Sequence, residues 1–276
     1  MRVLWMSAVC ALALVPAAAS GADDADTQFA NFAFASELGS GIYEIGGSII
    51  QVYQLPFSYV LRAAQRPGGR PGLRLIFPTT VGFFNFTTSD LIHLDIPNSI
   101  GALSVEPGIQ LDYWLEEDWH VYPYAKAGAT FASSSEVNAL IYGIGARSDY
   151  RFSVYDGAGL YRAELLHAGV HYYGGEAPDD SFTRLRDGVE LRHRVGKPIG
   201  NRWAELGVYA MLDIYANPPS GPASGISAQK LQGEVGIMFG TNPTYQVLGL
   251  PVPRIGIGYR AAGALSGWRI VLGSPF

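Results

Sequence analysis

Between Leu140 and Val154, apolar and polar side chains alternate with a period of two. Leu140, Tyr142, Ile144, Ala146, Tyr150, Phe152 and Val154 share one face, while Gly143, Gly145, Arg147, Asp149, Arg151 and Ser153 share the other. That period predicts a β-strand with two unlike faces. The same dyad recurs in Leu103–Leu115, Trp119–Phe131, Thr183–Val195, Ala204–Ile214 and Leu231–Phe239, and around Ile255–Tyr259. Ile50–Leu61 and Leu73–Phe84 are apolar on both faces.

These runs exceed the roughly 5–6 residues usual in globular sheets and suit the roughly 9–11 that a tilted strand needs to cross a bilayer. Twelve strands are expected between residues 41 and 276; without the first hairpin, through Ile45–Ser48, there would be ten. Both counts are even, as single-chain bacterial barrels require. Short charged or Gly-containing turns at Glu116–Asp118, Tyr155–Gly157 and Gly196–Asn201 would lie at one end. Longer loops at Thr87–Asn98, Gly174–Ser181 and Asn217–Gly225 would lie at the other, with Thr241–Pro251 a long exception among the short turns.

The first residues change the picture from a sheet to an address. Met1-Arg2, an apolar run from Val3 to Val15 and the small residues up to Ala22 predict a secretory signal peptide over 1–22, cleaved after Ala19 or Ala22. An N-terminal segment, 23–40, would follow, and then a barrel over 41–276. The sole cysteine, Cys10, lies in the signal, so no disulfide or thiolate chemistry is expected after cleavage.

Composition agrees with an exported barrel. The 276 residues include 34 Gly, 16 Tyr and 13 Phe but only 16% charged residues, and no long apolar run follows the signal. A closed barrel spreads an apolar exterior over alternate residues and so needs no such run. The fold expected is therefore all-β: a membrane-spanning antiparallel β-barrel of about 12 strands, with a short N-terminal segment, Asp26–Leu38, that could form a helix in the lumen or an extended arm.

The inward faces then carry the charge. Arg147, Asp149, Arg151, Arg184, Arg186, Glu190, Arg192, Arg194, Glu205, Asp213 and Glu234 are read as a lumenal charge network, with Glu106, Asp112, Lys126, Arg162, Glu164, Arg254, Arg260 and Arg269 on the same side of their strands. Two uses compete. The charges could pair and fill the barrel, since an unpaired buried charge is costly, or they could line a wet, anion-preferring, porin-like passage.

The last strand, "RIGIGYRAAGALSGWRIVLGSPF" (254–276), places Trp268, Ile270, Leu272 and Phe276 on one expected face. It resembles the C-terminal assembly signal of Gram-negative outer-membrane proteins, although Ser274 and Pro275 depart from that pattern. With "ELGSGIYEIGGSIIQVYQLPFSYVLR" (37–62), the chain resembles the solitary autotransporter-like barrels that lack a passenger domain. That resemblance implies an outer-membrane location, contact with outer-membrane lipid and handling by the barrel-assembly machinery. It implies no cofactor.

The histidines offer two enzyme readings. A lipid hydrolase resembling the outer-membrane phospholipases needs a serine two residues after a histidine; the residues there are Asp95, Tyr122, Gly169, Tyr173 and Val195. An omptin-like rim protease needs acids beside a histidine, for which His171 with Asp179 and Asp180, and His93 with Asp90 and Asp95, are the candidates. No motif fixes their geometry, so no catalytic residue is assigned. No metal-ligating spacing, phosphate loop or dinucleotide fingerprint occurs. The interspersed basic residues form no nucleic-acid patch.

Overall fold

The computed structural model describes residues 36–45, 48–65, 67–86, 102–132, 138–155, 157–173, 179–218, 230–243, 246–247, 250–251, 254–262 and 265–276. The expected signal peptide, most of Asp26–Leu38, the loop Thr87–Asn98 with Asp90, His93 and Asp95, and much of the other long loops lie outside them.

The strands are β1 (Gly41–Ile45), β2 (Ser48–Arg62), β3 (Gly72–Phe86), β4 (Ala102–Val105), β5 (Gly108–Trp114), β6 (Trp119–Ala132), β7 (Asn138–Val154) and β8 (Gly157–Tyr173). They continue with β9 (Asp180–Ile199), β10 (Arg202–Asn217), β11 (Leu231–Asn242), the short pair β12 (Gln246–Val247) and β13 (Leu250–Pro251), β14 (Ile255–Ala262) and β15 (Leu265–Leu272). Each barrel strand pairs antiparallel with its neighbours, and β1 pairs β15 from Gly41↔Arg269 to Ile45↔Leu265, so the sheet closes. β4 and β5 both lie between β3 and β6 and form one crossing. The barrel therefore has twelve crossings and no free edge, including the first hairpin.

The single strand expected over Leu103–Leu115 is broken at Glu106-Pro107. Pro107 has no N–H to give the ladder. Its carbonyl instead accepts from Ala127 N–H at 3.0 Å, and Glu106 N–H reaches across to Pro78 O at 2.9 Å. Opposite the break, a Cβ on Gly128 would stand 1.8 Å from Val105 O, so only glycine lets the two chains approach there. β9 is longer than expected and runs to Ile199, which shortens the following turn to Gly200-Asn201.

Alternation decides facing. Ile144, Leu165, Val235, Phe239, Trp268, Ile270 and Leu272 point outward and are exposed, whereas Arg184, Arg260, Glu190, Glu106 and Asp213 point inward and are buried. This inverts the apolar-in arrangement of a soluble sandwich. The lumen is not uniformly polar, however. At the long-loop end Ala139, Ile141, Leu166, Val170, Phe182 and Tyr215 form an apolar cluster inside the wall.

Phe276 departs from the face expected for it. β15 stops at Leu272, Gly273 takes a left-handed φ of 89°, and the last residues turn into the lumen. There the Phe276 ring meets Tyr209 edge-on at 6.2 Å, with the Arg162 guanidinium over it at 5.7 Å. The alternation continues through Leu272 only; the glycine after it resets the direction of the chain.

Candidate functional site

A short piece of chain before β1, residues 36–40, lies within the lumen. Residues 36–38 form a single helical turn, and Gly39, at φ 84°, redirects the chain into β1. Side chains from the wall clamp it. Tyr43 donates its hydroxyl to Leu38 O at 2.9 Å, and Gln54 donates from Nε2 to Ser36 O at 2.8 Å and from its backbone N to Ser40 Oγ at 2.8 Å.

Glu37 ties this segment to two strands of the wall, β6 and β9, which stand three apart in the sheet. One carboxylate oxygen lies 2.5 Å from Lys126 Nζ and the other 3.1 Å from Arg184 Nη2. Both cations hold a second acid: Lys126 meets Glu106 at 2.9 Å, and Arg184 meets Glu164 at 2.8 Å. Glu164 also takes Arg147 at 3.1 Å and the Tyr124 hydroxyl at 2.9 Å. A carboxylate has room for about four hydrogen bonds, so this degree of sharing is what makes burial tolerable.

A second chain of pairs runs across β9, β10, β11, β14 and β15. Asp213 accepts two bonds from Arg186 and lies 3.3 Å from Arg260; Arg260 reaches Glu234 at 2.9 Å, and Arg269 reaches Glu234 at 3.2 Å. Tyr209 donates to Glu234 at 2.7 Å. Elsewhere Arg162 grips Asp149 with two bonds of 2.5 Å and donates to Phe276 O at 2.9 Å. Arg254 pairs with Glu190, with Arg192 at 3.8 Å from the same acid.

Of the eleven lumenal charges expected, Arg147, Asp149, Arg184, Arg186, Glu190, Asp213 and Glu234 are joined in ion pairs, and Arg192 stands at the margin. Glu205 is buried and accepts from Asn242 at 3.4 Å. Arg151 and Arg194 are exposed near the tight-turn end rather than within the network. There the wall meets solvent, and Arg151 N–H bonds Asp118 O in the neighbouring turn at 2.8 Å. The sequence placed Lys126, Glu164, Arg260 and Arg269 on inner faces without singling them out. Glu37 gave no strand signal by which to find it.

Trp268, Ile270 and Leu272 of the expected assembly signal share the outer face; Phe276 does not. At the rim His171 Nδ1 lies 2.6 Å from Asp179 Oδ2, and Tyr172 N–H donates to Asp179 Oδ1 at 3.2 Å. The hydrogen bond from His171 holds the Asp179 carboxyl below its ordinary value. Among the described residues no group of three His, Cys, Asp or Glu is placed to hold a metal.

The fold is similar to that of the β domain of the Bordetella autotransporter BrkA, at 12% identity and a TM-score of 0.54, over 84% of this chain and 93% of that one. The transport unit of the autotransporter AIDA-I from Escherichia coli is also similar, at 13% identity and a TM-score of 0.42, over 86% of this chain and 88% of that one. No protein-family model and no curated protein matches the chain. The first likeness shows an autotransporter-like barrel fold, and at this identity fold is all that it carries.

Proposed function

We propose that this protein is an integral outer-membrane barrel of a Gram-negative bacterium whose lumen is locked by ion pairs, so that it acts as a structural or narrow-pore element. The observation that carries this reading is Glu37, held between Lys126 and Arg184. A segment fastened inside the lumen to β6 and β9 takes up part of the cross-section through which solutes would pass. The apolar cluster around Ile141, Leu166 and Phe182 supports the same reading, since it leaves part of the wall at the long-loop end without polar groups to solvate an ion.

In this reading the exposed band of Ile144, Leu165, Val235 and Leu272 contacts lipid, the segment 1–22 is removed on export, and the barrel-assembly machinery recognises the outward face of β15. The test is single-channel recording on purified protein in planar bilayers. Small or absent conductance is the expected result. A large, stable, anion-selective conductance would overturn the locked lumen and make a porin-like passage the better account.

A further inference from the structure

We propose that the lumen holds a binding site for a small anion with several oxygens, of the phosphate or polycarboxylate class, between the N-terminal segment and the inner faces of β3, β7 and β8. A cavity of about 500 Å³ lies there, bounded by Glu37, Arg74, Arg147, Arg162 and Phe276 among others. That volume is within the range of small-molecule sites, about 300–1,000 Å³.

Donor accounting separates two of its arginines from the rest. A guanidinium has five N–H donors in a planar fork. Arg186 and Arg162 each spend two on one carboxylate and are mostly covered. Arg147 gives one bond to Glu164 at 3.1 Å, and its side chain stays 31% exposed. Arg74 gives one bond to Asp112 at 3.3 Å and one to Ser58 at 3.5 Å, stays 32% exposed, and its Nε, although buried, has no protein acceptor. Both guanidinia therefore bring unused donors to the same cavity.

Three carboxylates, Glu37, Asp149 and Glu164, line the cavity beside twice as many Lys and Arg side chains. Asp112, Asp213 and Glu234 pair with Arg74, Arg186 and Arg269 but do not line the cavity, which those arginines do. Those three pairs present their positive ends to the cavity, so cations outnumber acids in its lining. An anion with several acceptor oxygens satisfies forked donors better than chloride, which offers a single centre.

The site depends on the lumenal geometry and not on the membrane address, so it is testable on purified, folded full-length protein in detergent even if the conductance result goes the other way. Inorganic phosphate and citrate would be titrated separately, against sodium chloride at matched ionic strength, with isothermal calorimetry and thermal unfolding as readouts. Saturable binding of either anion is expected, and the tighter of the two identifies the class. The double variant Arg74→Gln/Arg147→Gln should bind at least tenfold more weakly. Arg254→Gln, which alters a pair away from the cavity lining, should bind as the parent does. If the double variant fails to fold, broadening of the phosphorus resonance of inorganic phosphate by the parent protein, reversed by unlabelled pyrophosphate, decides the matter. No saturable response to either anion, or an unchanged response in the folded double variant, would overturn the site.

Discussion

Arg186 and Asp213 are direct register partners on β9 and β10, and the guanidinium meets the carboxylate through two parallel bonds, Nε to Oδ1 at 2.6 Å and Nη2 to Oδ2 at 2.8 Å. Both side chains are almost fully covered by protein. Because the pair is set by sheet register, its geometry is fixed as soon as the two strands zip together. Asp213 then extends the contact to Arg260, and Arg260 to Glu234, so one register pair anchors a network spanning four strands.

Asp213→Ala should be among the most damaging single changes in the barrel. It strips Arg186 of its carboxylate and leaves Arg260 with Glu234 alone. Removing one partner of a buried pair costs about 3–5 kcal/mol. The expected result is a lowered urea midpoint for the detergent-solubilised barrel. The paired replacement Arg186→Met/Asp213→Leu should recover most of the loss, since it leaves fewer buried groups unpaired; a double variant no more stable than Asp213→Ala would contradict this account.

Glu37→Ala should behave differently. Lys126 retains Glu106 and Arg184 retains Glu164, so no cation is left without an acid. Stability should fall by less than in Asp213→Ala, while the N-terminal segment loses its hold on β6 and β9. Bilayer recordings should show a modest rise in conductance, and a change as large as that of an open porin would mean that Glu37 alone is the barrier.

The facing of the strands was legible because alternation is local: each inward Arg and outward Leu follows from a period of two. The lock was not. Glu37 sits in a single helical turn outside any periodic run, and its partners, Lys126 and Arg184, are 89 and 147 residues away. The apolar cluster inside the wall was obscured because Ala139, Leu140, Ile141 and Tyr142 are apolar on both faces, which signals burial on both sides rather than a clean dyad. Phe276 was misplaced because a count of two carries straight through Gly273, whereas the backbone turns there.

Substitutions on the exterior should distinguish lipid from water. Ile144 is 61% exposed at the middle of β7, and Ile144→Arg should destabilise the inserted barrel by about 2–4 kcal/mol if it lies at the bilayer midplane. Asp187 is the reverse case, an acid on the outer face of β9 between Leu185 and Val189, bonded by the Tyr161 hydroxyl at 2.5 Å. Asp187→Leu should stabilise the inserted protein by on the order of 1 kcal/mol, since acids on a lipid face cost less than Arg or Lys but still cost. Folding titrations into vesicles would measure both, and equal tolerance of Ile144→Arg would mean that this face meets water.

The rim contact between His171 and Asp179 should respond to acid. The Asp179 carboxyl is held below its ordinary value, chiefly by the bond from His171 and also by that from Tyr172 N–H. A lowered carboxylate stabilises at pH above its unfolded value and loses that contribution as pH falls through the folded one. Protection of the Tyr172 amide against hydrogen exchange, corrected for the intrinsic rate, should therefore decline on acidification. Asp179→Asn should flatten that dependence; a parent-like decline in the variant would assign the change to another group.

Gly188 and Phe276 make the sharpest packing prediction. A Cβ built on Gly188 would stand 2.1 Å from the edge of the Phe276 ring, so any larger residue must displace the ring. The ring has little room to shift without losing contacts, because Tyr209 stands edge-on to it and Arg162 lies over its face. Gly188→Val should therefore evict Phe276 and remove the contacts that hold the last residues in the lumen. Phe276→Ala removes the same contacts from the other side. Each single variant should lower the thermal midpoint, and the double variant should be little worse than either, because groups in contact lose one shared interaction rather than two. Additive losses in that double-mutant cycle would mean that Gly188 is required for some reason other than the ring.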